Sequence, residues 1–333
     1  MRYFLIIFLF LSSLESFEGD ISLHHEQLDM NKKNSIESLY TKLKHENIPT
    51  DFGINYNISL IGTTPISTKN QFYDFVEPRA IIGSASIDYY EKQTAISVGR
   101  NSLNLPLLNG NFDGLVYYQM LNKFRWRFFY FVSYEILLPT FYTKDDSMDL
   151  KGVNLSYENK YFEIKTTAID NRAENIYHTN LALKYNYYAI SLEVAHYNSD
   201  NFLTENIQKL SISRYKESLF LEFGIIKNGE NPIDKLLKFE QDELNSFGLG
   251  NKIYMPNAQN NYMEIAYGKE NYYLNLLLGY TTYQKNSKAR ELDIGFEYKF
   301  SKEFSINLHL LRELSSQGDT TLFSSSLNYG FEL

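Results

Sequence analysis

The sequence predicts an all-β fold, a closed antiparallel transmembrane β-barrel of about sixteen strands, with eighteen allowed. Three observations lead there. Apolar and polar residues alternate with period two in segment after segment from about Asp51 to the C-terminus, as in strands with one apolar and one polar face. The links between these segments alternate short and long, as the turns at one rim of a barrel and the loops at the other must. Aromatic residues make up 16 % of the chain, with Tyr 28, Phe 24 and Trp 1, which suits interfacial girdles better than a soluble core.

The N-terminus comes first. Met1-Arg2, the apolar run Tyr3 to Leu11 and the polar residues through Ser16 have the layout of a secretory signal peptide over 1–16, cut after Ser16. Residues 17–50 are expected to form an N-terminal periplasmic or lumenal segment. Within it, 17–34 is polar and without periodicity, the signature of disorder. Ser35 could cap a short helix carrying Ile36, Leu39, Tyr40 and Leu43. The barrel is assigned to 51–333.

In its first strands the lipid-facing candidates are Phe52, Ile54, Tyr56, Ile58 and Leu60, then Ile81, Ala85, Ile87 and Tyr89, then Thr94, Ile96 and Val98, then Val116 and Tyr118. The stretch Phe124 to Ile136 shows why a barrel is needed. It is too short for a spanning helix, which takes about 20 residues, and a central arginine would cost such a helix roughly 2.5–3.5 kcal/mol. Read with period two, Phe124, Trp126, Phe128, Tyr130, Val132, Tyr134 and Ile136 share one face, and Arg125, Arg127 and Glu135 share the other. Later segments repeat the pattern, most cleanly Leu292, Ile294, Phe296, Tyr298 and Phe300 against Glu291, Asp293, Gly295, Glu297 and Lys299. Short turns are expected near Glu91-Lys92, Asn122-Lys123, Asn159-Lys160, Asn186, Lys216-Glu217, Glu270-Asn271 and Ser301-Lys302. Closure follows from the solvent: lipid offers no hydrogen bonds, so a free sheet edge would leave backbone groups unpaired.

Composition removes other classes. With Cys 0 there is no disulfide framework, thiol catalysis or thiolate metal site. A net charge of −8 argues against nucleic acid as a partner. The scattered His178, His196 and His309 lie near no G-x-S-x-G motif, so an enzyme is not expected, although a barrel hydrolase with His196 on its outer face stays open. His24-His25-Glu26 could touch a metal but falls in the polar leader, and no cofactor is expected.

Two stretches resemble a known family. "SIESLYTKLKHENIPTDFGINYNISL" (35–60) resembles the opening of the OprD-like (Opr) porins of Gram-negative bacteria. "VGRNSLNLPLLNGNFDGL" (98–115) is similar to the family's loop, in which a Gly-Arg strand end leads through Leu-Pro-Leu to an Asp-Gly strand start. The resemblance implies an outer-membrane channel for passive diffusion of small hydrophilic solutes or ions, in some members carboxylates or amino acids. It also implies contact with outer-membrane lipid. The terminal Tyr329-x-Phe331-x-Leu333 resembles the signal read by the barrel-assembly machinery, and sixteen-strand porins are often homotrimers.

Parity then nominates the pore lining. Arg125, Arg127, Lys165 and Lys184 form a basic arc; Glu264, Glu291, Asp293 and Glu297 form an acidic arc. Opposed, they would set a transverse field that sorts solutes by charge; unopposed, they would only solvate the lumen. Link 101–112, with Leu103, Leu105, Pro106 and Leu107, would fold inward as a constriction or stay at the surface; the four leucines Leu103, Leu105, Leu107 and Leu108, costly to leave in water, favour the inward fold. In link 228–259, Ile233, Leu236, Leu237 and Leu244 form a helical stripe, as a lid or packed on the barrel. The remaining alternative is an adhesin or receptor barrel with a plugged lumen.

Overall fold

The computed structural model describes residues 18–29, 33–47, 52–69, 77–105, 108–138, 141–145, 149–171, 174–199, 202–229, 257–283, 287–316 and 318–332. The expected signal peptide over 1–16, most of link 228–259 with its expected helical stripe, and Leu333 lie outside them. The strands are β1 (Glu18–Asp29), β2 (Lys33–Asn47), β3 (Phe52–Lys69), β4 (Arg79–Glu91), β5 (Thr94–Leu105), β6 (Leu108–Leu121), β7 (Phe124–Leu138), β8 (Phe141–Asp145), β9 (Leu150–Glu158) and β10 (Phe162–Asn171). They continue with β11 (Glu174–Tyr185), β12 (Tyr188–Ser199), β13 (Phe202–Lys216), β14 (Leu219–Asn228), β15 (Gln259–Lys269), β16 (Tyr272–Tyr283), β17 (Ser287–Lys299), β18 (Phe304–Ser315) and β19 (Gly318–Glu332).

Each strand pairs antiparallel with the next, and β1 pairs with β19 from Glu18↔Glu332 to Asp29↔Thr321, which closes the sheet. The short β8 only prolongs a hairpin from the end of β7, and the wall itself passes from β7 to β9. The ring therefore holds eighteen strands rather than sixteen.

The two added strands are β1 and β2, where the sequence reading expected a polar leader and a helix. The physical reason lies in their faces. In β1 only Ile21 and Leu23 are large apolar residues exposed toward lipid, while Ser22, His24 and Glu26 take the other face, so the alternation is faint. In β2 both faces carry apolar groups. Leu39 and Leu43 point outward, Ile36 is fully buried inside, and Tyr40 packs on Ile61 and Ile81. Apolar residues on both faces of a strand imitate the 3.6 spacing of a helix.

Four of the expected short turns place a non-glycine residue in the left-handed region: Lys92 (φ 53°), Asn122 (56°), Asn186 (52°) and Glu217 (56°). Such two-residue turns match the strands' own twist, and they define one rim. At the other rim the strands run further than the alternation suggested, so that β3 reaches Lys69 and β5 reaches Leu105.

Ile54, Ile87, Leu183, Ile190 and Leu210 are among the outward apolar side chains left exposed, as a lipid-facing belt requires. Aromatic pairs cluster at the turn rim. Phe124 lies 4.6 Å from Tyr157, Tyr157 5.1 Å from Phe162, and Phe300 5.2 Å from Phe304, ring centre to centre.

Two strands, β4 and β6, show faces other than those predicted from sequence, the first because of a bulge. Between β3 and β4 the register shifts at Ser59/Leu60, so Ile81 turns inward at 7 % exposure and Ile82 outward at 48 %. On β6 the phase is the reverse of the expected one without any insertion: Val116 pairs with Phe129 and Tyr118 with Arg127 on the inner face, and Leu115 and Tyr117 take the outer one. Between β6 and β7 the register shifts at Asp113/Gly114, with the extra residue, Val132, on β7. One extra residue flips everything beyond it.

Candidate functional site: the barrel lumen

The inner wall changes character along the barrel axis. Toward the end opposite the short turns it is buried and mixed, with Leu28, Leu150, Ile169, Ile176, Leu311 and Leu322 beside the buried Glu26, Asn260, Thr281 and Glu313. Toward the turns it carries hydroxyls, amides and charges.

On β7 Arg125, Arg127, Phe129 and Phe131 face inward, between the exposed Phe128 and Tyr130; beyond the extra residue Val132, Ser133 and Glu135 are buried beside Asp113 and Arg100. The Arg127 guanidinium lies 5.9 Å from the Tyr118 ring centre. Neither Arg125 nor Arg127 has a carboxylate within ion-pair reach among the described residues.

The two lysines of the basic arc are in a different state. Glu163 sits between them, on the same face of β10 as Lys165. It pairs with Lys165 and, at 2.5 Å, with Lys184, which also reaches Glu158 at 2.6 Å. Their charge is neutralised at the wall. The spacing Glu163-x-Lys165 was visible in the sequence and signalled this pairing.

The acidic residues divide likewise. Asp293 bonds His309 Nε2 at 2.6 Å, and Glu297 lies 3.4 Å from Lys299. Glu264 and Glu291 have no cation within 4 Å among the described residues. Glu291 stands cross-strand from Glu313, so like charges adjoin there. Further round, Lys209 binds Glu222 at 3.1 Å, Tyr262 donates to Glu222, and the buried His178 bonds Glu193 at 2.6 Å.

With the corrected count, β7 is the seventh strand of the ring and β17 the sixteenth, half a circumference apart. The unpaired arginines and the acidic residues of β17 thus stand on opposite walls. Of the constriction residues, Leu103 and Leu105 belong to β5 by backbone, while Pro106 and Leu107 and all side chains of 102–110 lie outside the description.

A cluster that residue parity did not nominate sits where β5 and β6 leave the wall. Arg100 donates from Nε and Nη2 to the two Asp113 oxygens at 2.7 Å each, and from Nη1 to Glu135 at 2.5 Å and to the Ile82 carbonyl at 3.0 Å. The available signal was the pair of dipeptides Gly99-Arg100 and Asp113-Gly114, which bracket the loop that carries the family resemblance.

No family model matches the chain, and no curated protein matches it in sequence. Solved structures do match its fold. OccAB1 of Acinetobacter baumannii superposes with a TM-score of 0.77 at 14 % identity, covering 96 % of each chain. OccAB4 of the same organism gives 0.75 at 12 %, over 96 % of this chain and 98 % of the other. OpdK of Pseudomonas aeruginosa, solved with vanillate, gives 0.72 at 10 %, over 96 % and 100 %. The fold is that of the OprD-like channels. A closed ring with an outward apolar belt is a transmembrane barrel, and one structural neighbour, OpdK of Pseudomonas aeruginosa, is an outer-membrane protein. Among the described residues no three His, Asp or Glu side chains converge as a metal site would require.

Proposed function

We propose that the protein is an outer-membrane porin through which small hydrophilic solutes diffuse passively, with charge selectivity from a field between Arg125/Arg127 and the acidic residues of β17 and β15. The observation that carries this reading is the pair of inward arginines without carboxylate partners, half a circumference from Glu291 and Asp293. In a narrow, water-filled passage with low-dielectric walls, such charges are weakly screened and orient dipolar solutes. Lys165 and Lys184, neutralised by Glu163 and Glu158, contribute little to the field.

Small organic carboxylates fit the arginine wall, and OpdK, similar in fold, is solved with one. Lipid contacts the outer belt, and recognition by the barrel-assembly machinery would use the last strand. The chain is read as a channel without catalysis; a trimer is not required for the function.

A second reading has one observation in its favour. The inner wall at the loop end is fully buried at Leu28, Ile36, Leu150, Ile176 and Leu322, as in a receptor barrel stoppered by its own loops.

The selectivity is tested by reversal potential across a planar bilayer under a salt gradient. Replacing Arg125 and Arg127 together by Ala is expected to move the reversal potential toward that of the cation. An unchanged potential in a conducting variant would sink the transverse field.

A further inference from the structure

The hairpin β5–β6 leaves the barrel wall part-way along its length. β5 pairs with β4 only as far as Ala85↔Arg100, although β4 continues to Arg79. β6 pairs with β7 only as far as Asn111↔Glu135, although β7 continues to Leu138. From Asn101↔Phe112 to Leu105↔Leu108 the two arms pair with each other. Beyond the departure β7 comes within 8 Å of β3 and β4, Cα to Cα, and the wall closes behind the hairpin. Phe112, at the root, is fully buried and stacks at 4.9 Å on the inward Phe131, so the arm departs toward the lumen.

We infer that Arg100 is the positioning residue that holds this arm in the pore and thereby sets the size of solute that passes. Its guanidinium sits at the corner where the arm leaves, and its side chain is 15 % exposed. It reaches all three strands that meet there: Asp113 on the arm's second strand, Glu135 on β7, and the Ile82 carbonyl on β4. The Ile82 carbonyl lies where β5 has left β4, and the guanidinium supplies the missing donor. Ser133 donates a further hydrogen bond to Asp113.

Two glycines make the corner. Gly99 adopts φ +121°, and a Cβ there would overlap the Ala85 carbonyl; a Cβ on Gly114 would overlap that of Tyr130. Only residues without side chains let the strands approach and then turn away.

The geometry requires arginine. A planar guanidinium binds one carboxylate in two-point fashion and still offers donors to a second acceptor and a carbonyl, and a lysine ammonium cannot satisfy all three in fixed directions. Without a cation, Asp113 and the largely buried Glu135 repel across the seam, which pushes the arm from its seat.

This rests on the channel reading for its consequence but not for its geometry, so two readouts are used. The chain has no cysteine, and spin labels on cysteines introduced at Asn104 and Lys123 report the arm's distance from the fixed turn rim in the refolded barrel. Polyethylene glycols of graded size, added during bilayer recording, report the exclusion limit. Arg100→Ala is expected to broaden the label distance distribution and admit polymers that the parent excludes, with Arg100→Lys in between. Should Arg100→Ala fail to fold, Asp113→Asn is measured in the same way. A folded variant with an unchanged distance distribution and exclusion limit would overturn the inference. A parent barrel that never conducts removes the channel reading and leaves the arm's distance as the deciding result.

Discussion

Single residues decide this barrel at its corners. At Gly99, any side chain meets both a left-handed backbone and a neighbouring carbonyl. Gly99→Ala is therefore expected to destabilise the folded barrel by about 1–3 kcal/mol, read as a lower urea midpoint in the gel-shift assay of heat-modifiable mobility. Gly318→Ala is the control: it also has positive φ, but nothing lies within 4 Å of the added methyl, so the steric part of the loss is absent. These local demands were only partly legible in the sequence. Asn122, Asn186 and Lys92 announced themselves because turn residues between alternating runs have few other uses. The Arg100 cluster did not, because a residue at a strand's departure from the wall obeys no parity. Parity placed Arg125, Arg127 and the four acidic residues on the inner face but was silent on pairing, and Glu163 pairs with both Lys165 and Lys184.

For a strand, the governing fact is that neighbours in sequence live in different solvents. β7 shows it best: Arg127 faces the lumen over Tyr118, and Phe128 is exposed on the outer side. Moving the charge by one residue should be costly. Phe128→Arg is expected to destabilise the barrel by roughly 2–4 kcal/mol if it lies near the bilayer midplane, whereas Arg127→Phe should leave folding intact. Equal losses in urea unfolding from vesicles for both variants would contradict the assignment of faces. Segments with one apolar face, such as β7 and β17, were read correctly for this reason. β1 was missed because its inner face is charged and its outer face poor in apolar residues, and β2 because both faces are apolar. The far end of β4 was inverted because a bulge has no signature in periodicity until the register is known, whereas β6 was read in the opposite phase throughout.

At the scale of the whole molecule, the strand count carries the electrostatics. Adding the first hairpin makes the ring eighteen and puts β7 opposite β17, which a sixteen-strand ring would offset. Closure of β1 on β19 leaves no open seam in the eighteen-strand ring, the condition for residence in lipid. What remains is whether the passage inside is open, since the inner wall toward the loops is buried, at Leu28, Leu150, Ile176 and Leu322 among others. The most direct measurement is single-channel current from the refolded protein in a planar bilayer. The account predicts discrete, reproducible open steps with a preference between anion and cation. A correctly folded barrel that stays electrically silent would contradict it and favour a receptor stoppered by its own loops.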